Sequence, residues 1–130
     1  MAIDYAERAR ALVGTRFRPQ GRGEQGLDCV GVVLATFHMP AGSTRTDYRL
    51  NGDHMREIRE QLAAHFRRVP KNRLREGDVM LLAAGQRQMH LAIKTRAGFV
   101  HAHAGIRRVV ETPGEPQWPL VGVYRKRRSR

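Results

Sequence analysis

The 130-residue chain has a single cysteine, Cys29, and this scarcity excludes several classes of protein. An internal disulfide needs two cysteines, and so do dithiol redox motifs and zinc sites of the Cys-x-x-Cys type. Cys29 is therefore a buried apolar residue, a reactive thiol or a lone metal ligand. Because free cysteine is among the most buried residue types, simple burial is the ordinary interpretation of such a residue.

Long apolar runs are also missing from the chain. No segment approaches the roughly 20 apolar residues that a membrane-spanning helix requires. The first residues, 1–7, show no basic stretch leading into an apolar core, so we expect no signal peptide. We therefore expect a protein that stays in the cytoplasm or leaves by a route without a signal, such as assembly into a larger particle.

Acidic residues are few, with 12 Asp and Glu against 24 Lys and Arg, a formal net charge of +12. This excess predicts attraction to polyanions such as nucleic acid, anionic lipid or anionic cell-wall polymers, without choosing among them. A nucleic-acid-binding module would cluster its basic residues with aromatic ones, whereas here arginine is scattered and aromatics make up 6%. We therefore expect no specific nucleic-acid partner. Residues 125–130 are mostly basic and are interpreted as a tail that follows a domain of residues 1–124.

Apolar periodicity divides the chain into a helical first half and a β-rich second half. Residues at helical spacing predict helices over 3–13, 29–38 and 53–66. Residues 14–27 are rich in Gly and Arg and predict a loop, and 39–50 look irregular. After Pro70 the pattern predicts short strands, at 79–83, 89–95, 99–104, 108–111 and 120–126. Helices followed by antiparallel strands indicate an α+β domain.

Cys29 stands at the start of the second predicted helix, directly after Asp28, which can cap that helix. The attacking species in thiol chemistry is the thiolate, and a helix N-terminus lowers the pKa of a thiol placed there. Its free N–H groups also offer a site for the oxyanion that forms after attack on a carbonyl. Cys29 is thus a candidate nucleophile.

A thiol nucleophile needs a base, and the predicted strands supply histidines. If Arg96-Ala97 forms a two-residue hairpin turn, His90 lies opposite His103 and diagonal to His101. Either later histidine could hydrogen-bond to the ring of His90 and fix its tautomer, and periodicity does not choose between them. The other histidines lie on predicted helices or loops without a partner motif, and we expect no catalytic role for them: His38, His54 and His65.

Five segments, taken in order, resemble the NlpC/P60 cysteine peptidases. They are residues 14–18, 26–33, 74–80, 90–93 and 98–102. The first of them continues as Gly14-Thr15-Arg16-Phe17-Arg18-Pro19-Gln20-Gly21-Arg22, which is most similar to the phage-tail branch of the family. The resemblance covers about residues 3 to 124 and implies a papain-like fold, with N-terminal helices packed on a C-terminal antiparallel sheet.

The resemblance also assigns roles to residues. It implies that Cys29 is the nucleophile, that His90 is the base and later the acid, and that His101, rather than His103, is the third polar residue. It assigns four further residues to the neighbourhood of the substrate and the oxyanion: Phe17, Gln20, Asp28 and Val30. Many family members have Tyr at the position of Phe17 and Ser at that of Val30, and the phage-tail branch shares both differences.

The implied activity is hydrolysis of amide bonds in peptidoglycan stem peptides without a cofactor. In the phage-tail branch it implies a virion tail protein that aids cell-wall penetration beside other tail-tip or hub proteins. One alternative is a structural tail-tip protein that keeps the peptidase fold with little or no activity. Another is a zinc hydrolase using His101-Ala102-His103, but Ala104 stands where such sites have Pro, and no aspartate follows Asp78.

Overall fold

A computed structural model describes residues 3–18, 22–23, 26–39, 55–85 and 88–127. Within these ranges three α-helices come first: α1 (Tyr5–Arg10), α2 (Cys29–Thr36) and α3 (Met55–His65). A short hairpin precedes α2, formed by β1 (Arg22–Gly23) and β2 (Gly26–Leu27). The main strands are β3 (Phe66–Val69), β4 (Val79–Gly85), β5 (Gln88–Lys94), β6 (Gly98–His103), β7 (Arg108–Pro113) and β8 (Leu120–Lys126).

The main strands form one six-stranded sheet in the order β3-β8-β4-β5-β6-β7. All neighbouring pairs are antiparallel, and α2 packs against β5 and β6. The predicted α+β class, with helices packed on an antiparallel sheet, is confirmed. None of the helices in the described ranges is long and apolar enough to cross a membrane.

Side chains alternate between two apolar clusters, because successive residues of a strand point to opposite faces of a sheet. The larger cluster joins α2 to one face and includes Leu81, Leu91 and Val100. The smaller cluster holds Met80, Leu82, Ala92 and Phe99, with Leu74, Trp118 and Leu120 packed against it. The odd-numbered residues of β5 therefore join α2, and its even-numbered residues, His90 among them, point to the other face.

The helices are shorter than predicted. Beyond Arg10 the chain makes tighter turns, in which Leu12 N–H donates to Ala9 O at 3.0 Å, and it leaves the helix at Gly14, whose φ is +96°. The predicted helix over 53–66 includes Phe66, which instead begins β3 and pairs with Lys126 of β8. Phe66 and Val69 are buried. The extended conformation therefore places both side chains in the apolar core, which a further helical turn would not do.

The basic segment at the C-terminus begins inside the sheet. Arg125 lies in β8, and its guanidinium donates two hydrogen bonds of 2.8 Å to the carboxylate of Asp78. Asp78 is 2% exposed, so its carboxylate is desolvated. Loss of Arg125 would leave this buried charge without a partner, which is strongly destabilising. Arg127 N–H donates to His65 O at 3.2 Å. The described part of this segment is thus held against α3 and β4.

Candidate active site

Cys29 is the first residue of α2, as predicted. The Asp28 carboxylate accepts a hydrogen bond from Gly31 N–H at 2.8 Å, so it caps the helix and satisfies one of its free donors. Cys29 is 3% exposed and belongs to the larger core cluster, together with Met89, Leu91 and Ala102. These cluster members are direct sequence neighbours of His90 and His101, so the two histidine side chains point to the opposite face of the sheet.

The two strand histidines are hydrogen-bonded to each other, with their ring planes nearly perpendicular. His90 Nε2 and His101 Nδ1 are 2.8 Å apart, a short hydrogen bond. The predicted turn at Arg96-Ala97 is present, with Thr95 N–H donating to Gly98 O at 2.9 Å. The β5–β6 ladder consists of Ile93 with Val100 and Lys94 with Phe99, and it stops before His90.

Thr112 extends this pair to a chain of three groups. His101 Nε2 lies 2.9 Å from Thr112 Oγ1. Thr112 pairs with Phe99 in the β6–β7 ladder, and so it sits diagonal to His101 on the same face. Thr112 was not among the residues predicted from the sequence. Its position depends on the length and shape of the turn between β6 and β7, and periodicity does not give the register across such a turn.

Trp118 covers both imidazoles. Its ring centroid is 5.3 Å from that of His90 and 6.1 Å from that of His101, both in T-shaped contact. The ring of Phe99 lies 4.7 Å from that of His101 on the same face. Trp118 was also missed, because it comes from the irregular segment before β8. The two rings make the environment of the histidine pair apolar.

Burial lowers the pKa of both imidazoles. Desolvation is the main cause for His90, whose pKa falls from 6.5 to about 4, and the nearby His103 contributes. The pKa of His101 falls to about 3, again mainly through desolvation, with further contributions from His90 and His103. Both rings are therefore neutral at pH 7, and a neutral imidazole has a free nitrogen that accepts a proton.

His103 has a different partner. Its ring lies 5.6 Å from that of His101, and its Nδ1 accepts a hydrogen bond from Ile106 N–H at 3.1 Å. His103 therefore stabilises the turn after β6, whereas the ring of His101 is the one hydrogen-bonded to His90.

Two of the remaining predicted residues, Phe17 and Val30, pack in or against the cluster that contains Cys29. Val30 is 4% exposed, and Phe17 is half-buried against the cluster that contains Cys29 and Val30. Phe17 N–H donates to Arg107 O at 3.0 Å, which ties its loop to the turn before β7. Gln20 and His54 lie outside the described residues. Among the residues that the structure describes, no group of three or more His, Cys, Asp or Glu side chains could hold a metal ion.

The NlpC/P60 family model matches residues 14–121, which is most of the chain. The chain belongs to the NlpC/P60 family. The match includes Cys29, His90 and His101 together with Thr112 and Trp118. The family predicted from the five sequence segments is confirmed.

Individual relatives agree with this membership. The chain is 28% identical over 106 residues to an Escherichia coli K12 protein named murein DD-endopeptidase MepS/murein LD-carboxypeptidase. The aligned region is 81% of this chain and 51% of that protein, so the NlpC/P60 chain spans about half the length of its relative. The same match is found in two other E. coli strains.

Solved structures show the same fold. NlpC1 from Trichomonas vaginalis superposes with a TM-score of 0.67 at 13% identity, covering 94% of this chain and 42% of that one. The peptidoglycan hydrolase RipB from Mycobacterium tuberculosis gives 0.59 at 23% identity, with 94% and 62% covered. The P60 domain of a Mycobacterium avium subspecies paratuberculosis antigen gives 0.57 at 22% identity, with 94% and 91% covered.

Proposed function

We propose that this NlpC/P60 domain is a cysteine peptidase that hydrolyses amide bonds in the stem peptides of peptidoglycan. The observation that carries the proposal is the hydrogen-bonded chain from His90 through His101 to Thr112, in the sheet whose strands β5 and β6 pack against the helix of Cys29. Cys29 belongs to the cluster on one face of that sheet and His90 points to the other, so the proposed reaction requires the thiol to come within hydrogen-bond distance of that ring. The names of the relatives support the substrate, since one is a murein endopeptidase and another a peptidoglycan hydrolase.

The proposed reaction requires one of the two arrangements of protons that these hydrogen bonds allow. His90 Nε2 is engaged with His101, so Nδ1 is the nitrogen of His90 left to take the proton of a thiol. If Thr112 Oγ1 accepts from His101 Nε2–H, then His101 Nδ1 is bare and accepts from His90 Nε2–H. This tautomer leaves His90 Nδ1 free of hydrogen and able to act as a base.

The proposed reaction follows from those roles. His90 Nδ1 takes the proton of the Cys29 thiol, and the thiolate attacks the carbonyl carbon of the scissile amide. Free N–H groups at the start of α2 stabilise the resulting oxyanion. When the C–N bond breaks, the proton on His90 passes to the departing amine, leaving an acyl thioester on Cys29. Water then attacks the thioester with His90 again as base, which releases the carboxylic acid and restores the thiol.

We further propose the more specific role of a phage-tail peptidase, located in the virion tail beside tail-tip or hub proteins. The support is the sequence of residues 14–22 and the pair Phe17 and Val30, which resemble the phage-tail branch. One observation favours the alternative of a structural tail-tip protein with little activity. Cys29 is only 3% exposed, and a substrate carbonyl must reach its sulfur.

The test is release of soluble fragments from purified peptidoglycan. Wild-type protein is expected to release them, and Cys29→Ala is expected to release none while unfolding at the same temperature. His101→Ala is expected to lose most activity and His103→Ala to keep most of it, because the ring of His101 is the one bonded to His90. Equal losses at His101 and His103 would contradict the assignment. Inactive wild-type protein whose Cys29 resists a thiol reagent at neutral pH would support the structural alternative.

A further inference from the structure

A basic pocket lies at the β7 edge of the sheet, outside the histidine chain. It is an open cavity of about 860 Å³ between residues 16–18 and the turn that follows His103. Its lining includes four arginines, with apolar wall contributed by Phe17 and Ile106: Arg16, Arg18, Arg107 and Arg108. Its volume lies in the range of sites for small ligands.

Backbone hydrogen bonds fix the two sides of this pocket to each other. Gly14 N–H donates to Val109 O at 2.8 Å, and Val109 N–H donates to Thr15 O at 2.8 Å. Arg16 and Arg108 form an isolated β-bridge, which puts two like charges on facing backbone positions. Like charges placed opposite each other destabilise a strand pair, so this pairing costs stability.

Three of the four arginines have no acidic partner in the described part of the chain. Within the described ranges, Arg16, Arg107 and Arg108 form no ion pair, and all three are exposed. Glu111 follows on β7, but its carboxylate lies 3.3 Å from the guanidinium of Arg10. The pocket therefore presents a concentrated positive charge to solvent, and such a concave basic surface attracts anions.

Arg107, in the lining of the pocket, has a strained backbone conformation. Its φ is +63°, the left-handed region that glycine adopts freely and that a residue with a long side chain adopts at a cost. Next to it, Ile106 is 59% exposed. A strained arginine beside an exposed apolar residue, on a tightly bonded turn, is a pattern typical of a binding surface rather than of a stabilising one.

We infer that this pocket binds carboxylate groups of the substrate peptide, an inference that rests on the proposed function. The turn begins directly after His103, whose ring lies 5.6 Å from that of His101. On the other side, Phe17 packs against the cluster that holds Cys29. The pocket is therefore linked to the histidine chain through His103 and to the cluster of Cys29 through Phe17.

The chemistry of stem peptides suits this pocket. Their D-glutamate and diaminopimelate residues carry free carboxylates, and the planar guanidinium binds a carboxylate through two parallel hydrogen bonds. The apolar wall of Phe17 and Ile106 can contact the aliphatic part of the same peptide. A nucleic-acid strand would instead require a continuous basic groove with several stacking aromatics, and Phe17 is the one aromatic residue in the lining.

The test measures binding without cleavage, by calorimetry with the full chain carrying Cys29→Ala. One ligand is a stem peptide with free carboxylates, and the second is the same peptide with its carboxylates amidated. Arg107→Gly and Arg108→Gln are each expected to weaken binding of the free-acid peptide by about fivefold, more so at low salt. Arg67→Gln is the matched control, since Arg67 is an exposed arginine on β3 at the opposite edge of the sheet.

The variant Arg107→Gly separates binding from folding. Glycine removes the charge and relieves the positive φ, so its melting temperature is expected to stay the same or rise while affinity falls. Equal affinity of the variants and the parent for the free-acid peptide overturns the inference. An equal loss of affinity for the amidated peptide also overturns it. A DNA oligonucleotide serves as a third ligand, and a loss of affinity for this ligand alone overturns the inference as well.

Failure of the proposed function gives a different result. Wild-type protein that binds the free-acid peptide through these arginines but releases nothing from peptidoglycan supports the pocket and contradicts the peptidase. Wild-type protein that cleaves peptidoglycan while Arg107→Gly binds like the parent supports the peptidase and contradicts the pocket.

Discussion

Substitution of Thr112 by valine tests the histidine chain most directly. Valine keeps the shape of the side chain and removes the hydroxyl that lies 2.9 Å from His101 Nε2. His101 is 2% exposed, so water does not readily replace the lost partner. An unsatisfied buried polar group costs about 1–3 kcal/mol, and the free energy of unfolding is expected to fall by about that amount.

The same change is expected to reduce activity through the tautomer of His90. In the proposed tautomer the hydroxyl accepts from His101 Nε2–H, and His90 Nδ1 is left free of hydrogen. Loss of about 1 kcal/mol of that preference changes the ratio of the two tautomers by about fivefold. We expect kcat/KM on a stem-peptide substrate to fall by roughly five- to tenfold, mainly through kcat, since Thr112 acts through His101 and not on the substrate.

Three measurements check this reasoning. Urea denaturation gives the free energy of unfolding, chromatography of released fragments gives the rate, and nitrogen-15 spectra of the imidazoles report which nitrogen carries the proton. Thr112→Ser is the control, because it keeps the hydroxyl and is expected to retain the wild-type tautomer and most of the rate. Wild-type stability and tautomers in Thr112→Val, or an equal loss of activity in the serine and valine variants, would contradict the role assigned to Thr112.

Two further predictions concern the same strands. The native pKa values of His90 and His101, about 4 and about 3, lie below the unfolded value of 6.5. The unfolded chain therefore binds these protons first, and the stability that the neutral pair contributes above pH 6.5 is lost as pH falls toward 4. Urea denaturation at pH 7 and pH 5 measures the loss. A His101→Gln variant should lose less stability between these two pH values, and a loss equal to that of the wild type would contradict the prediction. Gly98→Ala would place a Cβ 1.8 Å from Thr112 O, so we expect a loss of about 3 kcal/mol or more by thermal denaturation, whereas Gly105→Ala, which meets only the end of a side chain at 3.1 Å, should cost little.

Local signals explain most of what the sequence predicted correctly. The Asp28 cap, the start of α2 and the turn at Arg96-Ala97 depend on residues within a few positions of each other. The strands of the second half were found because their apolar residues recur with a short period. The two-residue turn between two short strands also placed His90 near both His101 and His103, and the resemblance to the family then chose His101 as its partner.

Features that depend on distant partners were not predicted. The strand Phe66–Val69 follows a helical pattern directly, and it is extended because β8, almost 60 positions further on, offers a free edge. The apolar periodicity of residues 53–66 predicts that the helix continues through Phe66. Pairing with β8 overrides this local helical preference. The hydroxyl of Thr112, the ring of Trp118 and the arginine pocket were missed for the same reason, because each is brought to its place by a turn or loop whose shape no periodicity describes.

Strand β7 connects these missed features physically. On one side it pairs with β6, which sets Thr112 beside His101, and on the other side it pairs with residues 14–16, which lead into the segment 16–18 that lines the pocket. Gly98 sits where a side chain would push β7 away, so Gly98→Ala is expected to disturb the histidine chain and the pocket together. Thr112→Val changes the histidine chain alone. If peptide binding falls in the first variant and not in the second, the position of β7, rather than either site by itself, sets the alignment between the bound peptide and the catalytic residues.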